Sequence, residues 1–303
     1  MSDPLPTPRA EVLPVVSLNT TAQGGDTPAS TSAPDPATFV RVRTTLPKLP
    51  LPSNADRVPV TTARLLLRPL AQTDLPALHV LRTQPEVMHW TAVGKVDPDM
   101  ATTQARLNLF MPPNDAHTYN CAICLRDTGE LIGVGGSHVW KSSLGWPEVG
   151  YMLRREYWGK GLGTEFLRGF LEGIWEGLER EVVELEVDSR SVSGCEGGVG
   201  ANGDVGREAD SLAAEAGDGG DGQRVGIVTV PEQLIAITAE GNGKSQAVLV
   251  KTGFEWFVTW KAPDSVKGDS DDGLVDLPTY RYFPGRKRGG IKGKGCDEFC
   301  VSV

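Results

Sequence analysis

Histidine and cysteine are scarce, with four and five in a chain of 303 residues. The histidines, at 79, 89, 117 and 138, are scattered, and the single C-x-x-C pair, Cys121 and Cys124, has no second pair to complete a zinc site. A metal is therefore not expected. The two thiols lie in YNCAICLR, which alternates like a strand, so an offset of three sends them to opposite faces as buried, reduced side chains. Positive charge is also short: the net charge of -9 excludes a general nucleic-acid binder. No apolar run approaches the roughly 18 residues that a membrane helix needs, and MSDPLPTPRAEV lacks a basic stretch followed by an apolar one. A cytoplasmic or nuclear protein is the expectation.

Glycine and proline are abundant instead, 36 and 22, too many for a chain packed throughout. Residues 1–57, rich in Pro, Thr, Ser and Ala, are expected to be disordered. Residues 189–226 hold eleven glycines and seven acids against three arginines, the composition of a flexible insertion. Between and beyond these lies one domain, residues 58–285, followed by a basic tail over 286–303.

Within the domain, a short strand at Arg64–Pro69 leads into a helix start at Thr73–Pro76, and a second helix is expected from Asp97 to the stop at Pro112-Pro113. Tyr119–Arg126 and Leu131–Trp140 form a hairpin, and Glu148–Arg154 a third strand. A helix over about 164–178 carries an apolar stripe of Leu167, Phe170, Leu171, Ile174 and Leu178. Its glycines at 169, 173 and 177 suggest close approach to a sheet or ligand. Further strands at 232–239, 254–261 and 279–283, with a helix over 244–252 and an acidic linker over 264–276, complete an α+β, or mixed α/β, domain with one main sheet.

The turn EYWGKGLGTEFL sets glycines at 159, 161 and 163 directly before the apolar helix. It is not a Walker A loop, because Lys160 is followed by Gly161 rather than a hydroxyl residue, and it is not G-x-G-x-x-G, because residue 164 is Thr. What remains is strand, G-x-G-x-G turn, helix. Such a turn aims backbone N–H groups at one anion where the helix adds about half a positive charge, with Lys160 as a side-chain supplement. A tight turn without a ligand is the alternative.

GWPEVGYMLRREYWGKGLGTEFLRGFL together with AITAEGNGKSQAVLVKTGF resembles the GNAT superfamily of N-acetyltransferases, most closely its ribosomal-protein N-terminal acetyltransferase-like branch. The resemblance spans about residues 61–283, interrupted by the insertion. It implies the GNAT fold, one central, mostly antiparallel sheet flanked by helices, and acetyl-CoA as cosubstrate. In that family the turn [QR]-x-x-G-x-[GA] binds the pyrophosphate of acetyl-CoA; here Trp158 stands first and Gly161 and Gly163 match, which carries the cofactor role onto Trp158, Gly159, Lys160, Gly161, Leu162, Gly163 and Thr164. Asn242 and Ser245 can each cap the following helix. The resemblance adds that Asn242 contacts the pantetheine arm. It places Leu249 where many members have a thiolate-protonating tyrosine, and gives that task to Ser245.

Glu148 opens the strand EVGYML, whose alternation puts Glu148, Gly150 and Met152 on one face and Val149, Tyr151 and Leu153 on the other. A solvated strand end would account for the acid; the resemblance makes it the general base. It also has the backbone of Met152 and Leu153 pair with the pantetheine amides, and the N–H near Met152 stabilise the thioester oxyanion. The function implied is transfer of an acetyl group from acetyl-CoA to a primary amine, on a peptide N-terminus or a small molecule, by direct attack and without a metal. The rival is an inactive GNAT-like module that senses acyl-CoA or binds protein. The acceptor site is expected over His89–Pro113 and Lys261–Thr279, where His89, Trp90 and the acidic linker would attract a basic N-terminus or a polyamine, although a solvated loop explains the acids equally well. Cys300, four residues from the end behind basic residues and Cys296, has the position of a prenylation box; Ser302 and Val303 depart from it, which favours a plain basic tail with no membrane partner.

Overall fold

The computed structural model describes residues 38–193, 227–263 and 273–286. The first strand, β1 (Phe39–Pro47), precedes β2 (Val60–Thr61) and β3 (Leu65–Pro69); helices α1 (Leu75–Arg82), α2 (Pro85–Met88) and α3 (Met100–Asn108) follow. Then come β4 (Tyr119–Leu125), β5 (Leu131–Val139), β6 (Glu148–Leu153), α4 (Leu162–Gly173), β7 (Arg180–Asp188) and α5 (Ser189–Val192). Over the later described residues come β8 (Val228–Thr229), β9 (Leu234–Ile237), α6 (Gly243–Lys251), β10 (Glu255–Pro263) and β11 (Leu274–Tyr282).

Eight strands form the main sheet in the order β10-β11-β9-β6-β5-β4-β3-β2. Every neighbouring pair is antiparallel except β6 and β9, which run parallel and share a single registered pair, Glu148 with Ile235. Beyond that pair the two strands part. The sheet is therefore split down its middle, from Glu148 toward the end of β6.

Each face of the sheet has its own core. On one, Leu67, Cys121, Ile123, Val149 and Leu153 meet Phe166, Leu167, Phe170 and Leu171 of α4 and Leu249 of α6. On the other, Ala122, Cys124 and Val134 meet Leu78 and Leu81 of α1 and Leu107 of α3. Cys121 and Cys124 thus lie on opposite faces as free, buried thiols, and burial pushes the Cys121 thiol up to about 12. The glycine row on α4 makes the close approach expected of it at two of three positions. A β-carbon at Gly169 would fall 2.7 Å from Thr62 Cγ2, and one at Gly173 2.8 Å from Val60 Cγ1, while Gly177 faces open space.

Several expectations are corrected. Residues 39–47, expected to be disordered, form β1: Val42, Thr44 and Leu46 alternate inward with exposed neighbours, and nine residues pair with β7. The segment 180–188 received no strand from the sequence, yet β7 provides that partner and, with β8, makes a second, three-stranded sheet. Trp146, Val187, Val230 and Ile235 fill the space beneath it. At 189–193 the expected insertion begins too early, because Ser191 is fully buried and accepts the Trp146 indole N–H at 2.8 Å. The second helix starts at Met100, capped by Asp99, because Asp97 is held in a buried ion pair with Arg82. Of the acidic linker, 274–276 belong to β11. Residues 264–272 of that linker, residues 1–37, the insertion over 194–226 and residues 287–303, with Cys296 and Cys300, lie outside the described residues.

Candidate active site

Where β6 and β9 part, the two faces of β6 present different chemistry. Glu148 points to the α1–α3 side, with 18% of its side chain exposed. Burial raises its carboxyl above the ordinary value of 4.5, and His138, whose Nε2 lies 3.6 Å from Oε1, opposes the shift. Sequence reasoning gave His138 no role. It sits on β5 across from the start of β6, its ring where a β-carbon of Gly150 would be.

On the opposite face stands Tyr151, read from the sequence only as a step in the alternation. Its ring lies 5.7 Å from that of Phe166. A β-carbon at Gly163 would come 3.2 Å from Tyr151 Cε2 and 3.4 Å from the phenol oxygen, so the hydroxyl sits over the first turn of α4. Burial raises this phenol above the ordinary 10, and Ser245, in the first turn of α6, opposes the rise.

Two helix starts flank the split. Gly161 precedes α4 at φ 75°, a conformation that favours glycine, and no side chain caps the helix. The first amides of α4 are left for an anion. Arg64 braces the turn, donating to the Lys160 carbonyl at 2.9 Å while pairing with Glu165 at 2.6 Å. Trp158 is anchored through its indole N–H to the Leu153 carbonyl, at 2.7 Å. Lys160 Nζ lies 5.2 Å from the Tyr157 ring centre and Lys244 Nζ 5.5 Å from that of Trp158. Leu162 is buried among apolar side chains, whereas Thr164 borders a cleft of about 620 Å³ between α4 and β2 with the turn that follows it. A second cleft of about 600 Å³ opens beside Trp158 and Lys244. Neither reaches Glu148, so the split sheet rather than cavity size marks the chemistry.

The α6 start differs, because Asn242 Oδ1 accepts the Ser245 N–H at 3.2 Å and closes it. The capping expected of Asn242 is therefore present. Its neighbour Gly241 lies under Trp90: a β-carbon there would be 3.5 Å from the indole, which brings the expected acceptor loop against the α6 start.

One expected contact changes residue. The Arg154 amide donates to the Ile132 carbonyl, so by antiparallel alternation Met152 forms the next hydrogen-bonded pair, with Val134. Its amide belongs to the β5 ladder. Backbone groups turned toward the split are those of Val149, Tyr151 and Leu153, and the Leu153 carbonyl is already engaged by Trp158. The signal that a strand's backbone alternates along with its side chains was present in the sequence.

Residues 64–193 match the family described as acetyltransferase (GNAT) domain. The chain carries a GNAT acetyltransferase domain. An uncharacterized N-acetyltransferase from Bacillus licheniformis is 28% identical over 131 residues, 42% of this chain and 71% of that protein. Among solved structures, a GNAT-family acetyltransferase from Bacillus anthracis aligns over 75% of this chain and 99% of its own, at 16% identity and a TM-score of 0.47. A microcin self-immunity acetyltransferase, solved with acetyl-CoA and AMP, aligns over 73% and 93%, at 13% identity and a TM-score of 0.46. The acetyl donor of this family is acetyl-CoA, and the uncapped α4 start suits its diphosphate. Among the described residues no group of three His, Cys, Asp or Glu is placed to hold a metal, and no helix is long and apolar enough to cross a membrane.

Proposed function

We propose that the domain transfers an acetyl group from acetyl-CoA to a primary amine, on a peptide N-terminus or a small molecule, with Glu148 as general base. The observation that carries this reading is the carboxyl of Glu148, largely buried at the point where β6 and β9 part and raised above its ordinary range. A carboxylate of raised pKa is the stronger base, and His138 at 3.6 Å keeps it oriented. The turn from Trp158 to Thr164 holds the diphosphate through the amides of Gly161, Leu162 and Gly163, with Lys160 alongside. The backbone of Tyr151 and Leu153, facing the split, takes the pairing role first expected of Met152. Asn242 fixes the α6 start, which leaves its amide N–H₂ group for the pantetheine arm, and Ser245 donates a proton to the departing sulfur. Trp90, against Gly241, lies where the acceptor enters.

Glu148→Gln keeps the shape and loses the proton acceptor. Thiol release with an amine panel should fall by about 100-fold or more, while acetyl-CoA affinity measured by calorimetry stays within a few-fold. The deficit shrinks as pH rises, because more of the amine is already neutral. In the native protein the acid limb of turnover lies above pH 4.5, the ordinary carboxyl value. Stability moves the other way. A carboxyl raised on folding contributes stability that is complete below its unfolded value and lost as pH rises through the folded one. Glu148→Gln should therefore melt higher than the native chain at pH 8 and not at pH 4. Full activity of Glu148→Gln between pH 6 and 9 would remove Glu148 from the mechanism.

A further inference from the structure

The sheet face that holds Glu148 carries a further polar side chain, Asn120 on β4, which the proposed chemistry leaves unused. Alternation along β4 puts Asn120 on the side of Ala122 and Cys124, the face covered by α1 and α3. The register lines it up across three strands: Asn120 pairs with Gly136 of β5, and Gly136 with Gly150 of β6, two residues from Glu148. Neither glycine puts a side chain in between. A β-carbon at Gly136 would collide with the Tyr119 carbonyl oxygen, and the place of one at Gly150 is taken by the His138 ring. Asn120 is 5% exposed, and its Oδ1 is shut away from solvent with no hydrogen-bond partner among the described residues. An unpaired buried oxygen is costly, and a leucine of similar size would avoid the cost. An oxygen with no partner in the fold is available to one that arrives with the substrate.

We infer that Asn120 selects the acceptor, its side-chain amide pairing with the peptide group that follows the attacked amine and so favouring a peptide N-terminus over a plain alkyl amine or a polyamine. The inference rests on the acyl-transfer reading and narrows its acceptor. A side-chain amide offers an acceptor oxygen and a donor N–H₂ group, the complement of a peptide group's N–H and C=O. An alkyl amine has neither beyond its nitrogen. The second ammonium of a polyamine would call for a carboxylate, and the buried acids of this side are engaged, Asp97 by Arg82 and Asp115 by the Asn54 amide. Two strands across and about two residues along, the α-carbons of Asn120 and Glu148 lie about 12 Å apart by sheet spacing. Two side chains, a hydrogen bond of about 3 Å at each end and one extended residue of about 3.4 Å span that gap.

The test compares tripeptides with free N-termini and alkyl amines of similar size, read by thiol release. The native protein should use the best tripeptide with the higher kcat/KM. Asn120→Leu removes the amide and keeps the volume. Its KM for that peptide should rise by about tenfold, while kcat and the acetyl-CoA affinity measured by calorimetry stay within a few-fold and kcat/KM for alkyl amines is nearly constant. A change confined to packing would not separate the two acceptor classes. Should Asn120→Leu not fold, Asn120→Ala decides by the same ratio. An unchanged peptide KM, equal losses on both acceptor classes, or a native protein that favours alkyl amines overturns the inference. Failure of the acyl-transfer reading itself is distinguishable: the native protein would then release no thiol with any amine.

Discussion

Two helices begin beside the split in the sheet, and they begin differently. Helix α4 starts from Gly161 at φ 75° with no side chain on its first amides, whereas α6 starts from Asn242, whose side chain accepts the Ser245 N–H. A helix start carries unpaired amides and about half a positive charge in either case. Where a side chain satisfies an amide the start is finished as structure. Where none does, the amides can hold a ligand, and glycine lets that ligand approach the backbone. The proposed function accordingly gives anion binding to α4 and positioning to α6, although both are glycine-flanked turns before an apolar helix.

The sharpest way to break this contrast is to put a charge on the open start. Gly161→Asp and Gly161→Asn both use residues that tolerate a left-handed backbone, so they share whatever strain arises. They differ by one negative charge about 5 Å from the bound diphosphate, which is worth ~3 kcal/mol at an effective dielectric near 20. Calorimetry should give an acetyl-CoA affinity about 100-fold weaker for Asp than for Asn. Equal affinities would move the diphosphate elsewhere. Gly163→Val would be a less clean test, since a β-carbon there also presses on Tyr151.

The open start was legible because the signals that make it are local: three glycines in five residues, then apolar residues at helical spacing. Glu148 and Ser245 drew notice only through the resemblance; taken alone, a solvated strand end and a helix cap account for them. What escaped were features assembled over distance. Strand β1 lies in a Pro- and Thr-rich stretch, and its pairing with β7 joins Phe39 to Asp188. Neither strand has a partner nearby in sequence, so nothing local announces the small sheet or the burial of Ser191 beneath it. Tyr151 was visible only as a step in the strand alternation, since its phenol meets Gly163 only once α4 packs on the strand. The resemblance set the cosubstrate pairing at Met152, whose amide belongs to the β5 ladder because a strand's backbone alternates along with its side chains.

A smaller effect tests the closed start. Asn242→Ala removes the cap, which should cost about 1 kcal/mol and lower the melting temperature by roughly 2–4 °C. If Asn242 only finishes the helix, calorimetry will show acetyl-CoA affinity changed by no more than a few-fold. A loss of tenfold or more with the same small stability change would show that Asn242 also holds the pantetheine arm, and that a start finished by a side chain still serves the ligand.

The smallest effect concerns the side chains that surround the open start. Lys160 Nζ is parked 5.2 Å from the Tyr157 ring centre, close to the turn but not among its amides. If the backbone does the holding, Lys160 acts as a solvent-exposed charge nearby, and such a charge contributes at most about 1 kcal/mol. Lys160→Ala should therefore weaken acetyl-CoA binding by roughly fivefold at low salt. Backbone amides close to a ligand are screened much less than an exposed side chain, so the difference between Lys160→Ala and the native protein should fade as salt is raised past the point where the screening length is about 8 Å. The Gly161→Asp deficit, arising at the amides themselves, should persist over the same range. A Lys160→Ala loss that equals the Gly161→Asp deficit and survives high salt would mean that the lysine, not the open helix start, is the principal anion ligand.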